Sequence, residues 1–239
     1  MTEKKLEVSG LRKSFGDKKI LQEISFHVCE GELVTLLGPS GCGKSTIMNI
    51  LTGLLEADEG DVCVRGKIGY MQQKDLLLPW KTCLENVTLP EILAGVRKEE
   101  AEARALPYFK IFMLEGYEHS YPNEMSGGMR QRASLLRTFL TSAEVLLLDE
   151  PFGAVDSITR GALQQWLAEV SGELGLTILL ITHDIEEAIL LSDRILVLSD
   201  KPSTIRDEIA VDMVSVDKAE RLLEPESLEL KRRILQDLK

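Results

Sequence analysis

Nine consecutive residues have the types and the spacing needed to hold phosphate groups. The first eight match the pattern G-x-x-x-x-G-K-[ST], and all nine stand between an apolar run at 33–37, which predicts a strand, and a segment of helical period. Glycines let backbone N–H groups close around a phosphate, and the following helix N-terminus adds its positive end. The pattern predicts a nucleotide site in which Lys44 bridges the β- and γ-phosphates and the Ser45 hydroxyl ligates Mg²⁺. The nine residues are Gly38, Pro39, Ser40, Gly41, Cys42, Gly43, Lys44, Ser45 and Thr46.

The alternative for this segment is an ordinary glycine-rich turn with a solvated lysine. A chance match in a chain of this length is of order one in a hundred, and the flanking strand and helix make it rarer. Cys42 adds a further expectation, because a thiol at a helix N-terminus tends to have a lowered pKa. We therefore expect alkylation of Cys42 to block nucleotide binding and bound ATP to protect the thiol.

Two adjacent carboxylates end a second apolar run, at 145–148. Asp149 is placed to hold Mg²⁺, and Glu150 is placed to act as a general base that polarises the attacking water. The alternative, a strand followed by an acidic turn, is common in isolation. Beside the phosphate loop, the pair predicts hydrolysis of the nucleotide.

A third motif lies between these two, at Ser126, Gly127 and Gly128, flanked by Met125 and Met129. It resembles the signature sequence of the ABC ATPases, usually L-S-G-G-Q, with methionines in place of the leucine and the glutamine. A serine is a good helix N-cap, and the glycines leave N–H groups open to a second anion. A capped helix with no further role is the alternative for the motif taken alone.

The resemblance implies four more site residues, in the order that the family shows. Phe15 would stack on adenine, with packing in the core as the alternative. Gln73 matches the Q-loop glutamine, which implies roles in catalysis and in Mg²⁺ binding, and Gln72 is the neighbouring candidate. Asp156 matches the D-loop, and His183 matches the switch histidine that contacts the γ-phosphate. A histidine after a strand is otherwise more often structural.

The elements that must position these residues alternate between strand and helix, which predicts an α/β fold with a largely parallel sheet. The resemblance implies a P-loop NTPase core of ABC type, with an inserted helical subdomain and an antiparallel β portion near the N-terminus. Further strands are predicted at 62–64, 67–71, 177–181 and 194–198, with Gly66 as the turn between the first two. Helices are predicted at 43–54, 157–174 and 184–191, and a mostly helical stretch at 84–140 has breaks at Pro90, Gly95, Pro107, Gly116 and Pro122.

The whole chain, 1–239, is expected to form a single ABC ATPase domain. Its nucleotide-binding core would comprise about 1–75 and 141–200, and its helical signature subdomain about 76–140. The remainder, about 201–239, would form an edge strand and a terminal helix.

Composition limits the classes of partner. The formal net charge is −11, so the chain lacks the basic footprint of a nucleic-acid binder. Its longest apolar runs are far short of the roughly 20 residues that cross a bilayer, and the N-terminus has no apolar signal segment. The four cysteines show no metal-ligand spacing. We expect a cytoplasmic protein that binds no nucleic acid.

Residues 76–80, with the sequence LLLPW, resemble importer ATPases of the nitrate, sulfonate, taurine and thiamine-precursor branch. The tail resembles the same branch at 207–209 and 230–235, although the usual R-P-G-R is altered to K-P-S-T at 201–204. For 76–80 itself two interpretations stay open with equal weight. The segment either docks on a permease or packs in the core of the helical subdomain.

Membership of this family implies the partners. Two copies would pair head to tail, each ATP lying between one phosphate loop and the signature motif of the other copy. The pair would lie on the inner face of the cell membrane and drive an integral membrane permease. An extracytoplasmic solute-binding protein would deliver the solute to that permease. Two alternatives remain: a soluble ABC ATPase that drives a cytosolic assembly process, and a nucleotide-gated scaffold that does not hydrolyse ATP.

Overall fold

Nine strands form two sheets in the computed structural model, which describes residues 2–141, 144–153, 155–212 and 221–238. The strands are β1 (Lys4–Phe15), β2 (Lys18–Cys29), β3 (Leu33–Leu37), β4 (Glu59–Val64), β5 (Ile68–Met71), β6 (Val145–Asp149), β7 (Ile178–Thr182), β8 (Arg194–Leu198) and β9 (Ile205–Ala210). The helices are α1 (Lys44–Leu51), α2 (Cys83–Leu93), α3 (Lys98–Ile111), α4 (Gly127–Phe139), α5 (Ser157–Glu173), α6 (Ile185–Leu191) and α7 (Pro225–Asp237). Short 3₁₀ turns lie at Pro122–Glu124 and Arg221–Leu223.

The larger sheet has the strand order β5-β6-β7-β3-β8-β9. Its first five strands are parallel, and β9 closes one edge in antiparallel pairing with β8. Every residue of β3, β6, β7 and β8 is buried, as expected for parallel strands covered on both faces. Parallel strands present their carboxyl ends at one edge, which is where ligands bind in open α/β sheets. The predicted α/β fold is confirmed.

The smaller sheet is antiparallel, in the order β2-β1-β4, and confirms the β portion predicted near the N-terminus. Gly66 lies between β4 and β5 as expected, but it does not form a hairpin. β4 pairs with β1, whereas β5 pairs with β6 in the larger sheet. The turn therefore carries the chain from one sheet to the other, a choice that depends on partners distant in sequence.

Helices α2, α3 and α4 lie between β5 and β6 in sequence and correspond to the predicted helical stretch. The expected breaks at Pro90 and Pro107 are wrong, because these prolines lie inside α2 and α3. A proline in a helix interior costs about 3 kcal/mol or more. Both helices compensate by burying one face in the core, as Ala101, Ala105 and Phe109 do in α3. Helix α1 ends at Leu51, three residues before the predicted end.

Aromatic packing attaches the helical stretch to α5. The Phe112 ring lies 5.2 Å from that of Trp166 at an interplanar angle of 66°, and 5.7 Å from the Phe139 ring of α4. The indole N–H of Trp166 donates to the carbonyl of Ile111 at 3.0 Å. Edge-to-face aromatic pairs stabilise a core beyond their buried area. Helices α3, α4 and α5 are therefore held in one core.

We predict that Phe112→Ala lowers the free energy of unfolding by about 3–5 kcal/mol, because Phe112 has no exposed surface and its loss leaves a cavity. Urea unfolding followed by circular dichroism measures the effect. Leu106→Ala on α3 is the matched control, since Leu106 is 47% exposed and its change should stay within about 0.5 kcal/mol. Equal losses in both variants would show that the aromatic cluster does not hold the helices together.

Candidate functional site

The phosphate loop joins β3 to α1 and lines a cleft of about 290 Å³. Gly43 is required at the start of α1. Its φ is +121°, and a Cβ atom there would lie 2.8 Å from Cδ2 of Leu21 and 3.0 Å from Cγ2 of Ile20. Side chains of β2 therefore pack closely against the loop. The predicted residues that line the cleft are Phe15, Ser40, Gly41, Gly43, Lys44, Ser45, Thr46 and Glu150.

Lys44 is only 5% exposed, although it lines the cleft. Its ammonium donates to the carbonyl oxygens of Gly38 at 2.6 Å and Pro39 at 2.9 Å. A buried ammonium needs such acceptors, because an unpaired buried charge is costly. Lys44 therefore also holds the backbone of the loop.

The expectation that Cys42 is readily alkylated does not agree with the structure, because its thiol is buried. Cys42 is 1% exposed and packs in the core that includes Leu198 and Ile47. Its sulfur would lie 3.1 Å from a Cβ atom placed on Gly38. The helix start directs this side chain into the protein rather than towards the ligand, so only the Cys42 backbone remains available to a phosphate.

Asp149 is the last residue of β6 and is 9% exposed. Burial raises the pKa of its carboxyl, and the Tyr70 hydroxyl, which donates to Oδ2 at 3.3 Å, opposes that rise. Burial, together with the Asp149 charge, raises the pKa of Tyr70 to about 12. The nearby Ser45 side chain also lowers the pKa of the Asp149 carboxyl. An adjacent hydroxyl and carboxylate provide the oxygen ligands that Mg²⁺ prefers, so these side chains fit the ion.

Three predicted catalytic residues meet at Glu150. Gln73 donates from Nε2 to Oε2 of Glu150 at 3.1 Å, and Nδ1 of His183 lies 3.0 Å from Oε1. The contact selects Gln73 rather than Gln72 as the residue beside the carboxylate. Glu150 has a φ of +46°, and its N–H donates to the Ile181 carbonyl at 2.9 Å. Such strain at a non-glycine residue is typical of functional sites.

Phe15 lies at the rim of the cleft. Its side chain is 51% exposed, and the Lys13 ammonium lies 5.7 Å from the ring centroid. The alternative interpretation, in which Phe15 packs in the core, is therefore wrong. An exposed ring at the mouth of the cleft is available for stacking.

The signature motif begins α4 and is absent from the residues that line the cleft. The Ser126 hydroxyl caps the helix by accepting from the N–H of Met129 at 3.3 Å. Gly128 allows α4 to approach α5, since a Cβ atom there would lie 2.6 Å from Cγ2 of Thr159. Asp156 caps α5 by accepting from the Thr159 N–H at 3.1 Å. Within one copy, the structure does not bring Ser126 or Asp156 to the phosphate loop.

Sequence reasoning missed three residues of the site: Tyr70, Ile20 and Lys201. Lys201 reaches the cleft because Ser203 exchanges backbone hydrogen bonds with β2, donating to the Ile20 carbonyl at 2.8 Å. The signal for Tyr70 is its place on a strand beside β6, but its contact with Asp149 depends on the register. For Ile20 and Lys201 we find no signal in the sequence.

Part of the segment 76–80 fits packing in the core of the helical subdomain, and part fits docking on a permease. Trp80 is 70% exposed and Leu76 is 49% exposed, whereas Leu77 is buried. Arg137 of α4 anchors the segment by donating to the carbonyl oxygens of Asp75 at 2.6 Å and Leu76 at 2.9 Å. The core interpretation holds for Leu77, whereas the exposed side chains of Leu76 and Trp80 are available to a partner.

In the part of the chain that the structure describes, we find no helix with the length and apolar character of a transmembrane span.

Comparison with known proteins agrees with the predicted family. The family model "ABC transporter" matches residues 21–153. ThiZ of Halalkalibacterium halodurans, a formylaminopyrimidine import ATP-binding protein, is 50% identical over 77% of this chain and 74% of its own. SsuB 1 of Shouchella clausii, an aliphatic sulfonates import ATP-binding protein, is 42% identical over 81% of this chain and 76% of its own.

A solved structure also matches. It shows a dimeric, post-hydrolysis state of the ATP-binding cassette MJ0796 bound to ADP and Pi, with a TM-score of 0.73 and 32% identity. The match covers 86% of this chain and 98% of that chain. The chain therefore belongs to the ABC transporter family and carries that family's ATP-binding and ATP-hydrolysing domain.

Proposed function

We propose that this protein hydrolyses ATP to drive a membrane importer for a small solute of the nitrate, sulfonate, taurine or thiamine-precursor kind. The observation that carries the hydrolytic part is the meeting of Gln73 and His183 on the Glu150 carboxylate, at the edge that holds the phosphate loop. The import role is supported by the relatives, whose names describe import ATP-binding proteins.

ATP would lie along the cleft from its rim to the end of β6. Phe15 would stack on adenine, the backbone of 38–46 would surround the phosphates, and Lys44 would bridge the β- and γ-phosphates. Ser45, Asp149 and Gln73 would hold Mg²⁺, which neutralises phosphate charge when bound.

Glu150 would take a proton from the attacking water, since its carboxylate is oriented by two side chains rather than turned to solvent. His183, already 3.0 Å from Glu150, would contact the γ-phosphate and keep the base close to it. Gln73 would donate to the other oxygen of the same carboxylate. Glu150, His183 and Gln73 each come shortly after a strand of the larger sheet. Little rearrangement is therefore needed to assemble them.

A second copy would complete the site. Ser126, Gly127 and Gly128 start α4 away from the cleft of their own copy, and so does Asp156 at the start of α5. A head-to-tail pair would place these helix N-termini against the ATP of the partner, where their N–H groups suit an anion. The dimeric state of the matching cassette supports this arrangement.

The permease would dock on the exposed part of 76–80. Trp80 and Leu76 provide apolar surface, and the segment is fixed to α4, the helix that begins with the signature motif. We place the protein on the inner face of the membrane, with an extracytoplasmic solute-binding protein as an indirect partner. We propose the core at 1–75 and 141–200, the helical subdomain at 76–140 and the tail at 201–239.

We predict that Lys44→Ala abolishes measurable ATP turnover and weakens ATP binding, because the phosphates lose a charge and the loop carbonyls lose their donor. Turnover is measured by phosphate release and binding by calorimetry. Lys110→Ala, an exposed lysine on α3, is the control and should match the wild type. Wild-type hydrolysis by the Lys44 variant would refute the site.

We predict that Glu150→Gln stops hydrolysis but keeps ATP bound, since an amide has nearly the same shape and cannot accept the proton. Loss of a general base typically costs on the order of 10²–10⁴ in rate. The variant should become a dimer on a sizing column with ATP and stay a monomer with ADP. Asp149→Asn should instead bind Mg-ATP poorly, because the ion loses a charged ligand. Normal turnover by Glu150→Gln would remove Glu150 from the mechanism.

We predict that Trp80→Glu leaves the ATPase activity of the free protein unchanged and reduces its cosedimentation with membranes of the native host. A charge on the exposed indole position opposes docking on an apolar surface, while the cleft is untouched. Leu93→Glu is the matched control, because Leu93 is 78% exposed on α2 and lies outside the proposed dock. Equal cosedimentation of both variants would place the permease contact elsewhere.

A further inference from the structure

A buried carboxylate lines the same cleft as His183, the histidine proposed to contact the γ-phosphate. Glu187, on the first turn of α6, is 5% exposed and accepts two hydrogen bonds. One comes from the hydroxyl of Thr182, at the end of β7, and the other comes from Nε2 of Gln164 on α5 at 3.3 Å. Glu187 therefore joins a strand end of the larger sheet to a helix.

The Thr182 hydroxyl has two partners, and they assign its proton. It accepts the backbone N–H of Asp184 at 3.0 Å, so its only hydrogen is the one directed to Glu187. Thr182 and Asp184 are the two neighbours of His183 in the chain. One hydroxyl, oriented by one carboxylate, therefore ties the backbone on both sides of the histidine.

The carboxylate of Asp184 tightens the same turn. Its Oδ1 accepts the N–H groups of Glu186 at 2.9 Å and Glu187 at 3.2 Å, which caps α6. The backbone that carries His183 is thus fixed to β7 on one side and to α6 on the other.

A buried carboxylate is a costly way to fill a core position, and burial raises the pKa of Glu187. An apolar side chain of similar size would avoid that cost. Glu187 also lines a cleft of about 100 Å³ together with Glu150, Arg160 and His183. Its place in the cleft that Glu150 and His183 also line indicates a role beyond packing.

We propose that Glu187 is a positioning residue that, through Thr182, holds His183 at the distance from Glu150 that hydrolysis requires, and joins this histidine to α5. The inference rests on the proposed role of His183 and deepens it. Asp156 caps the N-terminus of α5, so a shift of that N-terminus would reach the histidine through Gln164, Glu187 and Thr182. In this proposal Glu187 acts on the reaction only through Thr182 and His183.

The test compares Thr182→Val with Thr182→Ser in the full-length protein. Valine keeps the shape and removes the hydroxyl, whereas serine keeps the hydroxyl. We expect Thr182→Val to lower kcat by about 10–100-fold, the loss typical of a displaced catalytic group, with KM for ATP within about twofold of wild type. Thr182→Ser should restore kcat. Thermal unfolding should show both variants folded.

Glu187 itself is tested in parallel, so that the proposal stays falsifiable if one variant fails to fold. Glu187→Gln should keep most of kcat, because its amide oxygen accepts from Thr182 while Gln164 turns its amide. Glu187→Ala should lose kcat as Thr182→Val does. Glu186→Gln is the control on the neighbouring, exposed residue and should leave kcat unchanged.

Three results would overturn the proposal: wild-type kcat in Thr182→Val, equal losses in the valine and serine variants, or a fall in ATP affinity that accounts for the lost activity. His183→Ala separates this failure from that of the proposed function. Wild-type turnover in His183→Ala would refute the role of the histidine itself. Loss of turnover in His183→Ala with none in Thr182→Val would refute only the role of Glu187.

Discussion

The parallel pairing of β3, β7 and β6 is the constraint on which the site depends. Leu37 is aligned with Thr182, and Asp149 is aligned with Ile181. The residue after each strand is therefore a site residue at the same edge: the first glycine of the phosphate loop, His183 and Glu150. A slip of one residue in any strand would displace its site residue by about 3.3 Å and turn its side chains to the opposite face.

Lys44 and Asp149 are buried at this edge, and each has polar partners. Lys44 bonds the loop carbonyls, and Asp149 accepts from a tyrosine and contacts a serine. In a site of low dielectric, charged groups interact more strongly with one another and with ions than they would in water. Glu150, the proposed general base, differs because its backbone is strained, and the surrounding sheet must hold that conformation in place.

Two sets of contacts lead from the site to the helices proposed to meet a second copy. One runs from the Gln73 segment through Asp75, whose carboxylate accepts from Arg130 at 3.1 Å, to α4. The other runs from Thr182, the neighbour of His183 in the chain, through Glu187 to α5. Both helices start at residues predicted to belong to the family's motifs, so the nucleotide site and the proposed dimer surface share one framework.

The sequence by itself determined the motifs, the strands that carry them and the family, because local spacing and apolar periodicity are properties of neighbouring residues. Only the tertiary structure decided that Pro90 stays within a helix, that Cys42 points into the core and that Lys201 reaches the cleft. Each of these depends on what a distant segment buries or bonds, and no local pattern contains that free energy. The contacts around Glu150 have the same origin. The sequence predicted Gln73 and His183 as site residues, and strand register brought them within hydrogen-bond distance of Glu150.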